Sequence, residues 1–398
     1  MRPFDGRRVL LGVAGGIAAY KAAELARRMV LAGAEVEVVL TSGGSRFVGP
    51  TTFEGLTGRR VRRSLWEGPL DHLELGRWAD AIVVAPATAD LIARLAGGHA
   101  DDLLTTTLLA APVKAILAPA MNHRMYEHPA TLRNLDTLKG YGYAVVGPAH
   151  GELAERETGW GRMEEPEVIL AHVGRALEPE SGWRGRHVVV TAGPTREPVD
   201  AVRYLGNRSS GRMGHAMAAA AWRRGAEVTL ISGPTQLPAP PGIDALQRTE
   251  TAEGMAALLR DAAPGADALI MAAAVSDFRP ARPVAGKIRR REGLDRIELE
   301  SVADLLAEAC TKEGCVRIAF AVEVGSSGLE SARSKLREKK AHLVVVNDPT
   351  EEGAGFEVET NRVTVIDVSD GEESWPLMSK AEVADRVLDR AERFLTDD

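Results

Sequence analysis

The chain has 398 residues, a length that predicts two or three domains and excludes a single small module. Hydrophobic residues make up 45% and charged residues 26%, as in folded globular proteins, and the formal net charge of -7 provides no positive field for nucleic acid. The two cysteines are too few for a disulfide framework, and no apolar run approaches the roughly 20 residues of a membrane helix. We therefore expect a cytoplasmic protein without nucleic-acid or membrane partners.

Short β-branched runs alternate with helical patterns along both halves, which predicts an α/β fold with parallel sheets. Helical patterns such as 18–32 and 213–224 lie between the predicted strands. In the first half we predict strands at 8–13, 35–40, 81–85, 114–118 and 144–146. In the second half we predict strands at 187–191, 227–231, 268–272, 317–321, 342–346 and 363–368.

The two halves also resemble each other locally, because in each a helical pattern ends in a glycine, Gly33 or Gly225, just before the second strand. Proline, glycine and acidic residues interrupt the pattern at 177–182. We therefore predict two tandem doubly wound, Rossmann-like domains, 1–180 and 181–398.

A glycine turn follows the first strand and leads directly into a helix, where free N–H groups and the helix dipole favour a phosphate. Its spacing is not that of the dinucleotide fingerprint. The second strand is followed by Thr41 and Ser42 instead of an acidic residue, so a mononucleotide fits better than NAD. A plain strand-to-helix turn without a ligand is the simpler alternative.

Two later predicted strands are followed by candidate ligand-binding residues. Thr88 follows one of them, and Met121 and Asn122 follow the other. The carboxyl ends of parallel strands form ligand sites in doubly wound folds, so we expect these residues to gather with the glycine turn. Taken singly, Met121 is equally explained by core packing. His72 is equally explained by a surface or capping role.

Together, the segments GGIAAYK, HLELGRWAD, APATADLIAR, DDLLTT and APAMN resemble the FMN-dependent phosphopantothenoylcysteine decarboxylases. The resemblance implies that the substrate thiol is oxidised by FMN to a thioaldehyde, that CO2 is then lost, and that the electrons return from the reduced flavin. It also implies that Asn122 holds the departing carboxylate and that His72 manages a proton or charge near the thiol. The expected cofactor contacts are Gly15, Gly16, Ile17, Ser42, Thr88 and Met121.

The chain departs from that family in the flap, which usually carries a cysteine that protonates the enethiolate intermediate. The GxGRM end is intact at 159–163, but Glu155 stands in place of the cysteine, and Asp101 stands where an asparagine is common. One hypothesis makes Glu155 the acid, which requires its pKa to rise from about 4.3 toward 6 to 7. The alternative is a solvated flap residue and a ligase whose decarboxylase half is impaired or altered. A non-enzymatic flavin-binding protein is a further reading, which the intact His72 and Asn122 oppose.

In the second half, Asn207-Arg208-Ser209-Ser210-Gly211 precedes an alanine-rich helix and suits either capping or anion binding. Asp277 follows a buried strand. Lys287 begins a basic run that suits a triphosphate or a solvated loop.

The segments TAGPTREPVDAVRYLGNRSSGRMG, AAAVSDFRP, GKIRR, AFAVE and VVNDPT resemble phosphopantothenate–cysteine ligase, a domain commonly fused behind the decarboxylase. The resemblance implies that cysteine is joined to 4'-phosphopantothenate through an acyl-cytidylate made from CTP, with Mg2+ bound to the triphosphate through unidentified ligands. Asn207 is expected to bind the acyl-cytidylate, and Lys287 to neutralise phosphoryl charge. The implied nucleotide contacts are Met271, Ala272, Ala273, Asp277, Ala303, Asp304, Leu305, Leu306, Phe320, Lys335 and Lys339.

The resemblance also suggests a homo-oligomer, with a trimeric flavin domain and a dimeric ligase domain. The expected partners are therefore other copies of the chain and the small-molecule substrates.

Overall fold

The computed structural model describes residues 2–154, 156–289, 296–309, 311–323, 328–355, 357–369 and 371–395. The chain forms two compact units, Met1–Glu178 and Pro179–Asp398. Both combine a mainly parallel sheet with helices on its two faces, so the predicted α/β class is confirmed. Among the described residues, no helix has both the length and the apolar character needed to cross a bilayer.

Unit 1 contains a parallel sheet of five strands in the order β2-β1-β3-β4-β5, together with a separate hairpin of β6 and β7. The strands are β1 Arg8–Val13, β2 Glu35–Leu40, β3 Ala81–Ala87, β4 Ala115–Pro119, β5 Ala144–Val145, β6 Ala149–Glu152 and β7 Thr158–Arg162. The helices are α1 Ala19–Leu31, α2 Pro50–Thr57, α3 Asp71–Trp78, α4 Ala89–Ala96, α5 Leu103–Ala110, α6 His123–Tyr126, α7 Pro129–Gly140 and α8 Pro166–Leu177, with a 3-10 helix at Gly44–Arg46.

The sheet of unit 1 is covered on both faces, which explains why β1 after Arg8 and all of β3 are apolar instead of alternating. All seven residues of β3 are buried. In β1, Leu11 belongs to one hydrophobic cluster and Leu10 to the cluster on the opposite face. Helix α1 buries Ala22, Leu25 and Met29 on one stripe, a helical spacing that packs it against the sheet.

Unit 2 contains an eight-stranded sheet in the order β12-β11-β8-β13-β16-β17-β18-β19 and two small hairpins, β9 with β10 and β14 with β15. The strands are β8 His187–Ala192, β9 Arg196–Pro198, β10 Tyr204–Gly206, β11 Glu227–Ser232, β12 Ala245–Arg248, β13 Ala268–Met271, β14 Phe278–Pro280, β15 Leu299–Ser301, β16 Val316–Val322, β17 Leu343–Asn347, β18 Thr360–Asp367 and β19 Glu372–Ser379. The helices are α9 Arg212–Arg223, α10 Ala252–Ala262, α11 Leu305–Glu308, α12 Gly328–Glu338 and α13 Lys380–Glu392, with a 3-10 helix at Ala263–Gly265.

One part of the predicted topology is wrong: the strand predicted at 363–368 is not parallel to its neighbour. It forms part of β18, which pairs antiparallel with both β17 and β19. The described residues between Asn347 and Thr360 form no helix, so the chain turns back without the crossover that a parallel strand requires. The sheet of unit 2 therefore has an antiparallel edge.

Candidate active sites

The sheet order of unit 1 reverses between β1 and β3, and a cavity of about 860 Å3 lies at the carboxyl ends of these strands and β4. Doubly wound folds bind their ligands at such a position. The cavity is lined by every expected cofactor contact of this half together with Asn122, namely Gly15, Gly16, Ile17, Ser42, Thr88, Met121 and Asn122. The expectation that the strand ends gather with the glycine turn therefore agrees with the structure.

The glycine turn forms one end of the cavity and packs against the loop that follows β2. A Cβ atom on Gly15 would lie 2.7 Å from the carbonyl carbon of Gly43, so only glycine permits this approach. Thr41 Oγ1 accepts a hydrogen bond from the N–H of Gly44 at 3.0 Å and holds the second loop in place. No side chain caps the start of α1, so its first N–H groups suit an anionic ligand.

The polar residues at the other strand ends also begin helices. Thr88 Oγ1 accepts a hydrogen bond from the N–H of Leu91 at 3.3 Å, and Asn122 Oδ1 accepts one from the N–H of Arg124 at 2.8 Å. Helix capping is therefore one reason why a threonine and an asparagine occur at these two positions. It also fixes each side chain at the wall of the cavity.

The hairpin of β6 and β7 forms a flap that lies directly on Met121. The N–H of Met121 donates to the carbonyl oxygen of Gly161 at 2.9 Å. Gly161 has a φ of +145°, and a Cβ atom there would lie 2.2 Å from the carbonyl oxygen of Met121. Ala154 of the flap lines the cavity, whereas Glu155 lies outside the described residues.

Lys21 is a cavity residue that sequence reasoning missed. Its side chain is only 8% exposed, and its Nζ donates to the carbonyl oxygen of Met163 at 2.9 Å and to Glu165 Oε1 at 3.0 Å. The ammonium group thus ties α1 to the end of the flap. A lysine within an amphipathic helix usually lies on the surface, so the sequence signal for its burial is weak.

Arg94 also lines this cavity and explains the unusual Asp101. Its guanidinium is ion-paired with Asp101 and, at 3.0 Å, with Asp102, the N-cap residue of α5. The hydrogen bond from Arg94 holds the pKa of Asp101 below its ordinary value. The charge of an aspartate at position 101 is therefore balanced by the guanidinium group of Arg94.

His72 lies apart from these residues. It belongs to α3 and does not line the cavity of unit 1. Its Nδ1 atom is buried and has no hydrogen-bond partner among the described residues.

Unit 2 has a cavity of about 630 Å3 at the carboxyl ends of β13 and β16. The residues that line it come from separate parts of the chain and do not include Lys287. They include Asn207 and all of the other expected nucleotide contacts. These are Met271, Ala272, Ala273, Asp277, Ala303, Asp304, Leu305, Leu306, Phe320, Lys335 and Lys339.

The loop after β13 is held rigidly by neighbouring hydroxyl and amide groups. Thr191 Oγ1 accepts from the N–H of Ala273 at 3.2 Å, and Thr195 Oγ1 accepts from the N–H of Ser276 at 3.0 Å. Asn207 Nδ2 donates to the carbonyl oxygens of Ala274 and Val275 at 3.0 and 3.2 Å. In this conformation both amide hydrogens are engaged, so Asn207 presents its Oδ1 acceptor to a ligand.

Lys335 in the last turn of α12 and Lys339, the residue directly after that helix, are both paired with carboxylates. Lys335 Nζ lies 2.6 Å from Glu323 Oε1, and Lys339 Nζ lies 2.9 Å from Asp304 Oδ2. Burial by itself would raise the pKa values of Glu323 and Asp304, but hydrogen bonds and nearby charge outweigh burial and lower them. Lys335 and Ser331 lower the pKa of Glu323, and Lys339 with the N–H groups of Ala307 and Leu306 lowers that of Asp304. Glu323 and Asp304 thereby hold the two ammonium groups at the cavity wall. An anionic ligand that binds these ammonium groups has to compete with the two carboxylates.

Lys287 is exposed and lies on a segment fixed to the turn at Val199–Arg203 rather than to the cavity. The N–H of Ile288 donates to Asp200 Oδ2 at 3.1 Å, and the N–H of Val284 donates to the carbonyl oxygen of Val199 at the same distance. The structure therefore does not bring Lys287 together with the other expected nucleotide contacts.

Comparison with known protein families agrees with this division into two sites. Residues 2–178 match the model of the family described as Flavoprotein, and residues 183–395 match that described as DNA/pantothenate metabolism flavoprotein C-terminal domain.

The curated relatives cover almost the entire chain. The coenzyme A biosynthesis bifunctional protein CoaBC of Vibrio cholerae is 42% identical, with 98% of each chain covered. That of Bacillus subtilis is 42% identical, with 96% of each chain covered. That of Mycobacterium tuberculosis is 43% identical, with 98% of this chain and 97% of the relative covered. The chain therefore belongs to the family of coenzyme A biosynthesis bifunctional proteins CoaBC, enzymes in which a flavoprotein decarboxylase domain precedes a ligase domain.

Proposed function

We propose that unit 2 joins L-cysteine to 4'-phosphopantothenate with CTP, and that unit 1 then decarboxylates 4'-phosphopantothenoylcysteine to 4'-phosphopantetheine with FMN. The observation that carries the proposal for unit 2 is that residues from separate segments of the chain, all within the matched range 183–395, converge on one cavity. For unit 1 it is the corresponding convergence of the glycine turn, three strand ends and the flap.

The cavity of unit 1 suits a flavin mononucleotide at both of its ends. The glycine turn and the uncapped start of α1 supply N–H groups for a phosphate, and Ser42 adds a hydroxyl. Ile17, Leu91 and Met121 supply an apolar wall for a ring system. When bound, the flavin would accept and return the two electrons that make loss of CO2 from the substrate easy.

The protein residues of this site position the substrate and exclude water. Asn122, fixed as a helix cap beside Met121, would bind the carboxylate that departs as CO2. The flap closes over the same position, and Lys21 anchors its end. These contacts hold the reacting groups in one geometry, which is a main contribution of protein to cofactor chemistry.

His72 supports an oligomeric active site, because it does not line the cavity of its own unit. Two large apolar side chains precede its helix and are strongly exposed: Trp66 is 90% exposed and Leu70 is 53% exposed. Such residues are typical of surfaces that another subunit covers. We infer that a second copy of the chain covers this face and that His72 contributes to a cavity formed between copies.

The proton donor of the reductive step is open between two candidates. Either Glu155 donates the proton, or water or another group does so and the decarboxylase is altered. Replacing Glu155 with glutamine and measuring formation of 4'-phosphopantetheine separates them: loss of product with retained flavin absorbance supports Glu155. Unchanged turnover would eliminate Glu155 as the donor.

In unit 2, the triphosphate would bind Lys335 and Lys339, which are four positions apart at the end of α12, where the N–H of Lys339 donates to the carbonyl oxygen of Lys335. The phosphates take the places of Glu323 and Asp304 at the two ammonium groups. Mg2+ would be held chiefly by phosphate oxygens, because the described residues contain no group of three His, Cys, Asp or Glu side chains suited to a metal. Asn207 lies where the activated carboxylate would form, and Lys287 would neutralise phosphoryl charge once brought to the cavity.

Two measurements on the purified protein test the proposed cofactor and nucleotide. The absorption spectrum should show a bound flavin that is released as FMN on denaturation. Pyrophosphate should form from CTP, and much more slowly from ATP, only when 4'-phosphopantothenate and Mg2+ are present. Equal rates with the two nucleotides would refute the choice of CTP, and release of a different flavin would refute FMN.

A further inference from the structure

A second cavity of unit 2, of about 850 Å3, adjoins the nucleotide cavity. It lies beyond the carboxyl ends of β8 and β11 and is bounded by the segment 207–212, which also borders the nucleotide cavity. The two cavities share Asn207, Ser209, Ser210 and Arg212. A ligand in the second cavity therefore lies next to the expected position of the activated carboxylate.

Four arginines line this second cavity: Arg196, Arg208, Arg212 and Arg248. We call it the arginine cavity. Its wall also includes Glu250 and Glu357, so cations outnumber carboxylates by four to two. Within the described parts of the chain, Arg196, Arg208 and Arg248 form no ion pair with a carboxylate, and only Arg212 is paired, with Glu359. Three of the four guanidinium groups in the wall therefore have no carboxylate partner among the described residues.

Contacts define the surroundings of two of the four guanidinium groups. Arg196 stacks over the ring of Tyr204, with its Cζ atom 4.7 Å from the ring centroid. Arg212 is paired with Glu359, and its Nε atom is buried and has no hydrogen-bond partner among the described residues. A planar guanidinium group suits a phosphate, because it can donate two parallel hydrogen bonds to the phosphate oxygens.

The backbone around the arginine cavity adds further donors. Helix α9 begins there with no side-chain cap, at Gly211 with a φ of +82°. Thr235 Oγ1 donates to the carbonyl oxygen of Ser210 at 2.9 Å and holds the opposite loop to the shared segment. The uncapped N–H groups of this twelve-residue helix reinforce the preference for an anion.

The substrate proposed for unit 2 is anionic at both ends, with a phosphate at one end and the reacting carboxylate at the other. We propose that the arginine cavity binds the phosphate of 4'-phosphopantothenate, with Arg196 and Arg248 as specificity-determining residues, and that the carboxylate then lies beside Asn207 at the border of the nucleotide cavity. This inference rests on the proposed ligase function. Arg196 and Arg248 would then select the phosphorylated substrate without taking part in binding the nucleotide.

The test uses the full chain with Arg196→Gln and Arg248→Gln, which remove charge but keep the length of a polar side chain. Arg260→Gln is the matched control, because Arg260 is an exposed arginine of α10 outside the cavity. Calorimetry gives the affinity for 4'-phosphopantothenate and, separately, for CTP with Mg2+. Pyrophosphate release is measured with 4'-phosphopantothenate and with unphosphorylated pantothenate.

We expect each cavity variant to weaken binding of 4'-phosphopantothenate by about tenfold to a hundredfold, as loss of a charge-assisted hydrogen bond predicts. Affinity for CTP and the low rate with pantothenate should stay within about twofold of the wild type, and Arg260→Gln should resemble the wild type. Unchanged affinity for 4'-phosphopantothenate would overturn the inference, as would an equal loss with CTP and with pantothenate. If the wild type binds 4'-phosphopantothenate through these arginines but does not use CTP, the nucleotide proposal fails and the arginine cavity stands.

Discussion

Substitution of Gly161 by alanine tests the contact between the flap and the substrate-binding wall of unit 1. The added Cβ would lie 2.2 Å from the carbonyl oxygen of Met121, whereas such contacts in proteins are rarely closer than 3.0 Å. The flap or the Met121 loop therefore has to move by roughly 1 Å, a displacement that can lower a catalytic rate about a hundredfold when it disturbs reacting groups. The φ of +145° adds about 1–3 kcal/mol of backbone strain for alanine.

The assay is decarboxylation of 4'-phosphopantothenoylcysteine by the full chain, with pyrophosphate release by the ligase half as an internal control. We expect decarboxylation to fall by about a hundredfold while ligation is unchanged. Gly55→Ala is the matched control, because Gly55 lies within α2, has no atom within 4 Å of its added Cβ, and should be neutral or slightly stabilising. Normal decarboxylation by Gly161→Ala would show that decarboxylation does not require the close contact between the flap and Met121.

Three further outcomes are expected. Lys21→Met removes the buried anchor of the flap and should slow decarboxylation by about tenfold, which corresponds to loss of a hydrogen-bonded contact of about 1.4 kcal/mol. Lys139→Met, at an exposed position of α7, should change nothing. Lys339→Met should raise the KM for CTP; it should also lower the free energy of unfolding at pH 7 by less than about 1 kcal/mol. Because the pKa of Asp304 is lowered in the folded state, this stabilisation is present above its unfolded pKa near 4 and disappears as the pH falls further. The free energies of unfolding of variant and wild type should therefore converge at acid pH below about 4. A difference that stays constant with pH would contradict the pairing. Lys287→Gln should abolish acyl-cytidylate formation without loss of folding, and a normal pyrophosphate burst would contradict the role proposed for it.

The sites were predictable from sequence where they follow from strand ends. Thr88, Met121 and Asn122 each come directly after a buried strand, and parallel strands place their carboxyl ends at one edge of the sheet. The same reasoning places Met271 and Asp277 at the cavity of unit 2. Spacing along the chain is sufficient for these residues because each is attached to a strand.

Residues positioned by distant contacts were not predictable. Gly161 is required only because Met121, about forty positions earlier in the chain, approaches it closely. Lys21 is buried only because the flap returns a carbonyl and a carboxylate to it. The direction of β18 depended on the absence of a helix before it, and the pattern of its side chains could not show this.

If one chain carries out ligation and then decarboxylation, it should convert 4'-phosphopantothenate to 4'-phosphopantetheine without a second enzyme. This is measured by incubating the purified protein with 4'-phosphopantothenate, L-cysteine, CTP and Mg2+, and following pyrophosphate, CO2 and 4'-phosphopantetheine together. We expect the three products to form in equal amounts, with 4'-phosphopantothenoylcysteine appearing only transiently. Accumulation of 4'-phosphopantothenoylcysteine without CO2 would contradict the decarboxylase half, and the absence of nucleotide consumption would contradict the ligase half.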